Sequence, residues 1–189
     1  MRSVFVLLGL SIALASSAQT APADATASAS PVMKACTTAI VQNKDAANQV
    51  TLCRAAVEEA YHLPRKDRLF AFVYLSTAYL RNQQIDHCLS MGDKAIKMVT
   101  LEHPVDSDAA AAYLVHARCY EARRDYLRAE PDVKTAEDLQ RNAWNTADPS
   151  AKPAATDALK ATLRYHAMML KGLNRDGDAI ACNQEAAKL

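Results

Sequence analysis

Glycine and aromatic residues are scarce in this chain, which has only four glycines and 6% aromatic residues among 189. A glycine-rich phosphate-binding loop is therefore excluded, because its backbone needs several glycines close together. Runs of alternating β-branched residues, which are typical of half-buried strands, are also missing. Half of the residues are apolar, and alanine, which loses no side-chain entropy in a helix, is abundant. The composition predicts an all-α protein.

The chain also has almost no net charge, since 22 Lys and Arg residues and 21 Asp and Glu residues give +1 at pH 7. Broad electrostatic attachment to nucleic acid or to an anionic membrane requires a clear positive excess. We therefore expect no nucleic acid as a partner. No spacing of Ser, His, Asp or Cys indicates a nucleophilic site. We expect a protein that is not an enzyme and that uses no cofactor.

The N-terminal residues have the pattern of a secretory signal peptide. Arg2 supplies the positive charge, and residues 4–14 form an apolar run that is short for a bilayer-spanning helix. Ser16, Ser17 and Ala18 offer the small side chains that signal peptidase prefers, so cleavage is expected after Ala18. The alternative interpretation of the run is a membrane anchor.

We accordingly divide the chain into a signal peptide at 1–18, a disordered linker at 19–31 and a helical domain at 32–189. The linker consists mainly of Ala, Thr, Ser and Pro and has no periodic apolar face. The pattern of the leader is typical of bacterial signal peptides. We expect a periplasmic or secreted protein with no stable membrane insertion after the leader is removed.

The apolar periodicity of the domain predicts eight helices in four antiparallel pairs. The helices are expected at residues 32–44, 45–62, 70–80, 85–102, 108–123, 126–142, 154–172 and 179–188. Residues 65–67 are expected to be a solvated loop, and residues 174–178 a turn. Pro131 is expected in the first turn of its helix, where the missing amide costs little.

Small and large residues recur in the same order in the four pairs. Aligned on a small residue late in each second helix, the positions are Ala56, Ala95, Ala136 and Ala186; seven residues earlier Gln49, Cys88, Ala129 and Ala179; sixteen earlier Ile40, Tyr79, Tyr120 and Leu170; nineteen earlier Thr37, Ser76, Ala117 and Ala167; and twenty-three earlier Met33, Phe72, Tyr113 and Leu163. Small residues let two helices approach each other, and large ones fill the space against the next pair.

This order resembles the tetratricopeptide repeat (TPR). The spacings of 39, 41 and 50 residues exceed the family period of about 34. The glycine common at the family's inter-helix turn is replaced by Lys44 or Asp45, Gln83 and Arg124. The resemblance implies an α-solenoid, an irregular right-handed superhelix of about four helix pairs. The alternative fold is a non-repetitive helical bundle.

The resemblance also implies that a protein or peptide binds on the concave face, which exposed positions of the first helices line. Carried over to this chain, the main peptide-binding candidates are Thr77, Arg81, Arg118, Arg164, Tyr165 and Lys171, and Thr38, Val41, Glu121 and Met168 lie on the same face. Several of them are basic, which favours an acidic or C-terminal peptide. The alternative interpretation is an ordinary solvated helix face.

Five cysteines remain after the leader, and an oxidising compartment favours their pairing. Cys36 and Cys53 are 17 residues apart on facing helices, so a disulfide bond between them is expected. Cys88 and Cys119 lie on neighbouring helices of adjacent pairs and form the second expected disulfide bond, which leaves Cys182 free. The alternative is five buried thiols that behave as small apolar residues.

Two stretches of the sequence have part of the spacing of a metal site. His116 with Cys119 and His87 with Cys88 have spacings that suit a shared metal ion, but no second pair completes four ligands. A calcium loop beginning at Asn174 has Ala179 where glycine is needed for the turn. We expect no metal site. The sequence favours an exported adaptor or assembly factor; the alternative is an exported helical protein that binds a small molecule or a metal ion.

Overall fold

The computed structural model describes residues 30–43, 45–102 and 107–189. Within these ranges the chain forms eight α-helices, one short 3-10 helix at Ala60–His62 and no strand, which confirms the all-α prediction. The helices are α1 (Pro31–Val41), α2 (Ala46–Glu58), α3 (Arg65–Arg81), α4 (Ile85–Glu102), α5 (Ser107–Ala122), α6 (Tyr126–Thr146), α7 (Lys152–Gly172) and α8 (Asp176–Lys188).

The predicted signal peptide and nearly all of the predicted linker lie outside the described residues. At the border, α1 begins at Pro31, the predicted last residue of the linker. Proline at this position is favourable because the first helical residue needs no hydrogen-bonded amide. Among the described helices, none combines the length and hydropathy that crossing a bilayer requires.

Each helix pair is joined by a tight turn that contains one residue in the left-handed region. These residues are Asn43, Gln83, Arg124 and Asn174, with φ between 49° and 59°. In the second turn the amide of Gln84 donates to the Tyr79 carbonyl (2.9 Å), and that of Gln83 to the Leu80 carbonyl (3.0 Å). This is the Schellman arrangement, which satisfies carbonyls left free at a helix C-terminus. The third and fourth turns repeat both bonds.

The left-handed residue gives a structural register for the four pairs. Seven residues before it lie Cys36, Ser76, Ala117 and Ala167, all at most 2% exposed. The sequence alignment is therefore one residue out in the first helix, where Cys36 rather than Thr37 holds the small position. The reason is the first turn, in which four residues separate the helices instead of three.

Consecutive helices pack against each other from α1 to α8, and α3 also contacts both α1 and α5. The predicted small residues of the second helices are all buried: Ala56, Ala95, Ala136 and Ala186 are at most 1% exposed, as are Gln49, Cys88, Ala129 and Ala179. Six of these eight residues are alanine, whose small side chain lets the helices approach closely. The core is consequently rich in alanine, with Leu69, Leu159, Leu163 and Leu170 as large buried side chains.

Two predicted loops are instead the starts of helices. Residues 65–67 form the first turn of α3, directly after Pro64, so the prediction of a loop there is wrong. Proline restricts the residue before it, but it is compatible with a helix that begins after it. Residues 176–178 belong to α8, and Asp176 and Asp178 lie in its first turn, where a helix N-terminus favours negative charge.

The break between α6 and α7 is shorter than predicted. Helix α6 continues to Thr146, and α7 begins at Lys152. Trp144 closes the gap: its indole N–H donates to Thr156 Oγ1 (3.0 Å), and the Lys152 ammonium lies 3.8 Å from the ring centroid. Pro131 is the sixth residue of α6, not a member of its first turn, and it lies on the exposed side of the helix.

Candidate functional site

The predicted binding residues lie on the odd-numbered helices, and we call the surface that they share the odd-helix face. Thr77 and Arg81 lie on α3, Arg118 on α5, and Arg164, Tyr165 and Lys171 on α7. Of the neighbouring candidates, Val41 and Met168 are exposed, at 69% and 44%. Thr38 and Glu121 are partly buried.

Arg81 joins the first helix pair to α3. One guanidinium nitrogen donates to the Ile40 carbonyl near the end of α1 (2.8 Å) and to Gln49 Oε1 on α2 (3.2 Å). Partial burial, together with the nearby charge of Arg118, lowers the pKa of Arg81 below its ordinary value. The two arginines are therefore close enough to repel each other, and one of them also has a structural role.

Arg118 links α5 to α7 through an aromatic ring. Its guanidinium carbon lies 5.6 Å from the centroid of the Tyr165 ring, at cation–π distance. The Tyr165 hydroxyl donates to Glu121 Oε2 (2.9 Å). Burial of the phenol, reinforced by the negative charge of Glu121, raises the pKa of Tyr165 well above its ordinary value. Arg118 and Tyr165 are thus in contact and Arg81 lies within electrostatic range of Arg118, and we refer to these three residues as one patch.

The other predicted binding residues are less connected. Arg164 and Lys171 are exposed on α7. The Thr77 hydroxyl donates a hydrogen bond to the Val73 carbonyl one turn earlier (2.9 Å), so it has no hydrogen left to donate to a bound peptide. Over the described ranges, no carboxylate lies within ion-pair distance of Arg81, Arg118, Arg164 or Lys171. Glu121 contacts the patch only through the Tyr165 hydroxyl, so the guanidinium groups of Arg81 and Arg118 have no ion-pair partner among the described residues.

The structure brings both predicted cysteine pairs to disulfide-bonding distance. The Cα atoms are 4.7 Å apart for Cys36 and Cys53, and 5.9 Å apart for Cys88 and Cys119. All four side chains are fully buried, and Cys88 lies at a helix–helix contact, as expected. Since Cys88 and Cys119 are paired, the metal sites suggested by His87–Cys88 and His116–Cys119 have no thiolate to offer. Cys182 is the free cysteine.

Sequence reasoning missed a cluster of charged and polar groups between α6, α7 and α8, which we call the α6–α8 cluster; its members are Glu130, Glu137, His166 and Cys182. His166 Nδ1 lies 2.6 Å from Glu137 Oε2, and its Nε2 lies 3.4 Å from Glu130 Oε1. The Cys182 Sγ atom is 4.0 Å from His166 Nδ1. His166 and Glu137 are both buried.

The two central groups of the α6–α8 cluster stabilise each other's charge. Burial alone raises the pKa of Glu137, but hydrogen bonds from His166 and Arg141 outweigh it and hold the value at about 2. Burial lowers the pKa of His166, and the contacts with Glu137 and Glu130 reverse this, so the net shift is upward. Burial raises the pKa of the Cys182 thiol, with the charge of Glu137 adding to the effect.

A second buried histidine occupies the equivalent position one helix pair earlier. His116 and His166 each precede the left-handed residue of their turn by eight residues, and Asp132 and Cys182 follow it by eight. His116 Nδ1 lies 2.7 Å from Asp132, and its Nε2 is 3.3 Å from Asp93 on α4. Counting eight residues to either side of the turn residue would have indicated from the sequence that His166 and Cys182 lie close together. That count requires the position of each turn to be known first.

No protein-family model matches the chain, and no curated protein matches it either. Among solved structures, the crystal structure of BtubC (BKLC) from P. vanneervenii is similar to this chain at 15% sequence identity and a TM-score of 0.43. The match covers 78% of this chain and 74% of that chain. A likeness at this level identifies neither a family nor a function.

Proposed function

We propose that this is an exported protein of irregular TPR-like repeats that binds an acidic segment of another protein on the odd-helix face. The observation that carries the proposal is the patch formed by Arg81, Arg118 and Tyr165. Burial and the nearby charge of Arg118 lower the pKa of Arg81, and neither arginine has a carboxylate within ion-pair distance among the described residues, so both gain from a negatively charged partner. A tyrosine ring beside them adds apolar contact area of the kind found at binding hot spots.

The repeated turns support a solenoid over an irregular bundle. In the last three pairs, a left-handed residue and the same two carbonyl contacts end the first helix. Helix α3 contacts the first helix of the pair on either side. In a TPR solenoid the first helices line the inner face, which is where we place the partner.

Export is supported by the cysteines. Two pairs at disulfide-bonding distance suit a periplasmic or extracellular protein, because the cytosol keeps most thiols reduced. The leader pattern at residues 1–18 agrees with this assignment. Since the proposed contact is mainly electrostatic, its affinity should fall as the salt concentration rises.

The test is a binding titration of the purified mature chain with fluorescent acidic peptides and with their Gln-substituted counterparts. We expect the acidic peptides to bind, and binding to be lost in the double variant Arg118→Glu/Arg164→Glu. The matched control is Arg54→Glu/Lys94→Glu, which reverses two exposed charges on α2 and α4 and should bind as the parent does.

A pulldown from periplasmic extract with the same three proteins complements the titration. Equal recovery by both double variants would place the partner elsewhere on the molecule. Recovery of no protein, together with no preference for acidic peptides, would contradict an adaptor function.

A further inference from the structure

Three different metal-binding groups from three helices converge in the α6–α8 cluster. A carboxylate oxygen of Glu137, a ring nitrogen of His166 and the sulfur of Cys182 all lie within 4.8 Å of one another. Tetrahedral zinc, with bonds of about 2.0 Å to N and O and about 2.3 Å to S, separates its ligand atoms by about 3.3–3.6 Å. The observed separations of 2.6 and 4.0 Å from His166 Nδ1 lie on either side of that value.

We propose that Glu137, His166 and Cys182 form a binding site for a divalent transition-metal ion of the zinc class. Thiolate and imidazole ligands favour Zn²⁺ and Co²⁺ over Mg²⁺ and Ca²⁺, which prefer oxygen ligands alone. Three protein ligands leave a fourth coordination position for water or for a group of a ligand. The site is separate from the odd-helix face and does not depend on the proposed peptide binding.

The surroundings of His166 match those of a metal-bound imidazole. Metal-binding histidines commonly donate their second N–H to a carboxylate, which fixes the tautomer and the ring orientation. Here Glu130 Oε1 lies 3.4 Å from Nε2, on the ring nitrogen that faces away from Glu137 and Cys182. Glu130 is itself held by Arg175, whose Nη1 lies 3.4 Å from the same oxygen. Glu130 therefore acts as a positioning residue that presents Nδ1 to the ion.

Contacts to the second carboxylate oxygen of Glu137, Oε1, hold this side chain in position. Arg141 donates to Oε1 (2.9 Å), and Lys134 lies 3.8 Å from it, while Oε2 faces His166. A metal ion that takes the place of the proton between Oε2 and Nδ1 leaves the Arg141 contact intact. Cys182 is only partly buried, so it gives the ion a route from solvent. The thiol proton and the proton displaced from between Oε2 and Nδ1 both leave to solvent as the ion binds.

His116 is the natural comparison, because it occupies the equivalent position one helix pair earlier. Its two nitrogens face Asp132 and Asp93, and no cysteine sulfur or third ligand within 4.8 Å completes a group there among the described residues. A buried histidine between carboxylates is thus not sufficient to form a group of three metal ligands. The α6–α8 cluster differs by the sulfur of Cys182.

The test uses Co²⁺ as a spectroscopic probe and Zn²⁺ in native mass spectrometry, with the whole mature chain. The free thiol is first verified by titration with a thiol reagent under non-reducing conditions, so that the two disulfide bonds stay intact. We expect one ion per chain and a thiolate-to-cobalt charge-transfer band in the near ultraviolet. Cys182→Ser should abolish the band, and Glu130→Gln should weaken the affinity by about 10- to 100-fold.

His116→Gln is the matched control and should leave both readouts unchanged. Far-ultraviolet circular dichroism of each variant separates a lost site from a lost fold. Cys182→Ser, which changes a single partly exposed atom, keeps the test valid if His166 variants fail to fold. A Co²⁺ spectrum without the charge-transfer band, or a band that persists in Cys182→Ser, would overturn the proposal.

Discussion

Gly92 lies so close to His116 that a Cβ atom on the glycine would come within 2.9 Å of the histidine ring and 3.3 Å of its Cα. Gly172 has the same relationship with Tyr126, whose ring would be 2.7 Å away. In both cases a missing side chain on one helix makes room for a ring on a neighbouring one. Gly177, in α8, has no atom within 4 Å of the equivalent position.

The three glycines therefore predict opposite responses to the same substitution. Gly92→Ala and Gly172→Ala should lower the free energy of unfolding by about 1–2 kcal/mol, because overpacking outweighs the gain in helix propensity. Gly177→Ala should raise it by about 0.5–1 kcal/mol. Urea denaturation followed by circular dichroism measures all three. Equal shifts in the three variants would show that the ring contacts do not decide the outcome.

The fold was largely accessible from the sequence because helix packing follows local periodicity. The small residues such as Ala95 and Ala136 are buried as predicted, and the two cysteine pairs follow from inward faces of neighbouring helices. The first residues of the helices were harder to predict. The polar residues at 65–67 and 176–178 have the composition of a solvated turn, yet they form the first turns of α3 and α8.

The α6–α8 cluster could not be predicted in the same way. His166 and Glu137 are 29 residues apart on different helices, so no short motif joins them. The histidine and cysteine spacings visible in the sequence as possible metal ligands are His87–Cys88 and His116–Cys119, and those cysteines are in a disulfide bond. Side chains brought together by long-range packing leave a signal only once the turns fix the register of each helix.

The left-handed turn residues provide a second prediction. Gln83 and Arg124 adopt φ of 59°, which costs a residue with a Cβ about 1–2 kcal/mol. Gln83→Gly and Arg124→Gly should therefore raise the free energy of unfolding by about 0.5–1 kcal/mol, after the larger unfolded-state entropy of glycine is subtracted. Thermal denaturation measures the change.

Two further turn positions, the equivalent residue Asn174 and the neighbouring residue Asn82, serve as controls for the turn variants. Asn174→Gly should have a smaller effect, because asparagine tolerates this conformation better than other residues. Asn82→Gly, at φ of −84°, should be destabilising. Stabilisation by Asn82→Gly equal to that by Gln83→Gly would show that backbone strain is not the cause.

The two disulfide bonds provide a third prediction, which concerns mass and stability. Non-reducing and reducing intact-mass spectra should differ by the four hydrogens of two bridges, with one thiol reactive before reduction. The bonds close loops of 17 and 31 residues, for which chain entropy gives about 3 and about 4 kcal/mol. The double variant Cys88→Ala/Cys119→Ala should thus lose more stability than Cys36→Ala/Cys53→Ala. The reverse order would show that local packing outweighs loop length.

Tyr165 provides the last prediction, which concerns alkaline pH. Burial and Glu121 raise its pKa in the folded state above the ordinary value of 10.0, so the stabilisation is fully present below pH 10. Above pH 10 the unfolded chain ionises this tyrosine and the folded chain does not, so the free energy of unfolding falls as pH rises. A phenolate absorbance titration should show a late component that disappears in Tyr165→Phe. A late component that persists in Tyr165→Phe would show that the Tyr165 phenol is not held in the buried contact with Glu121.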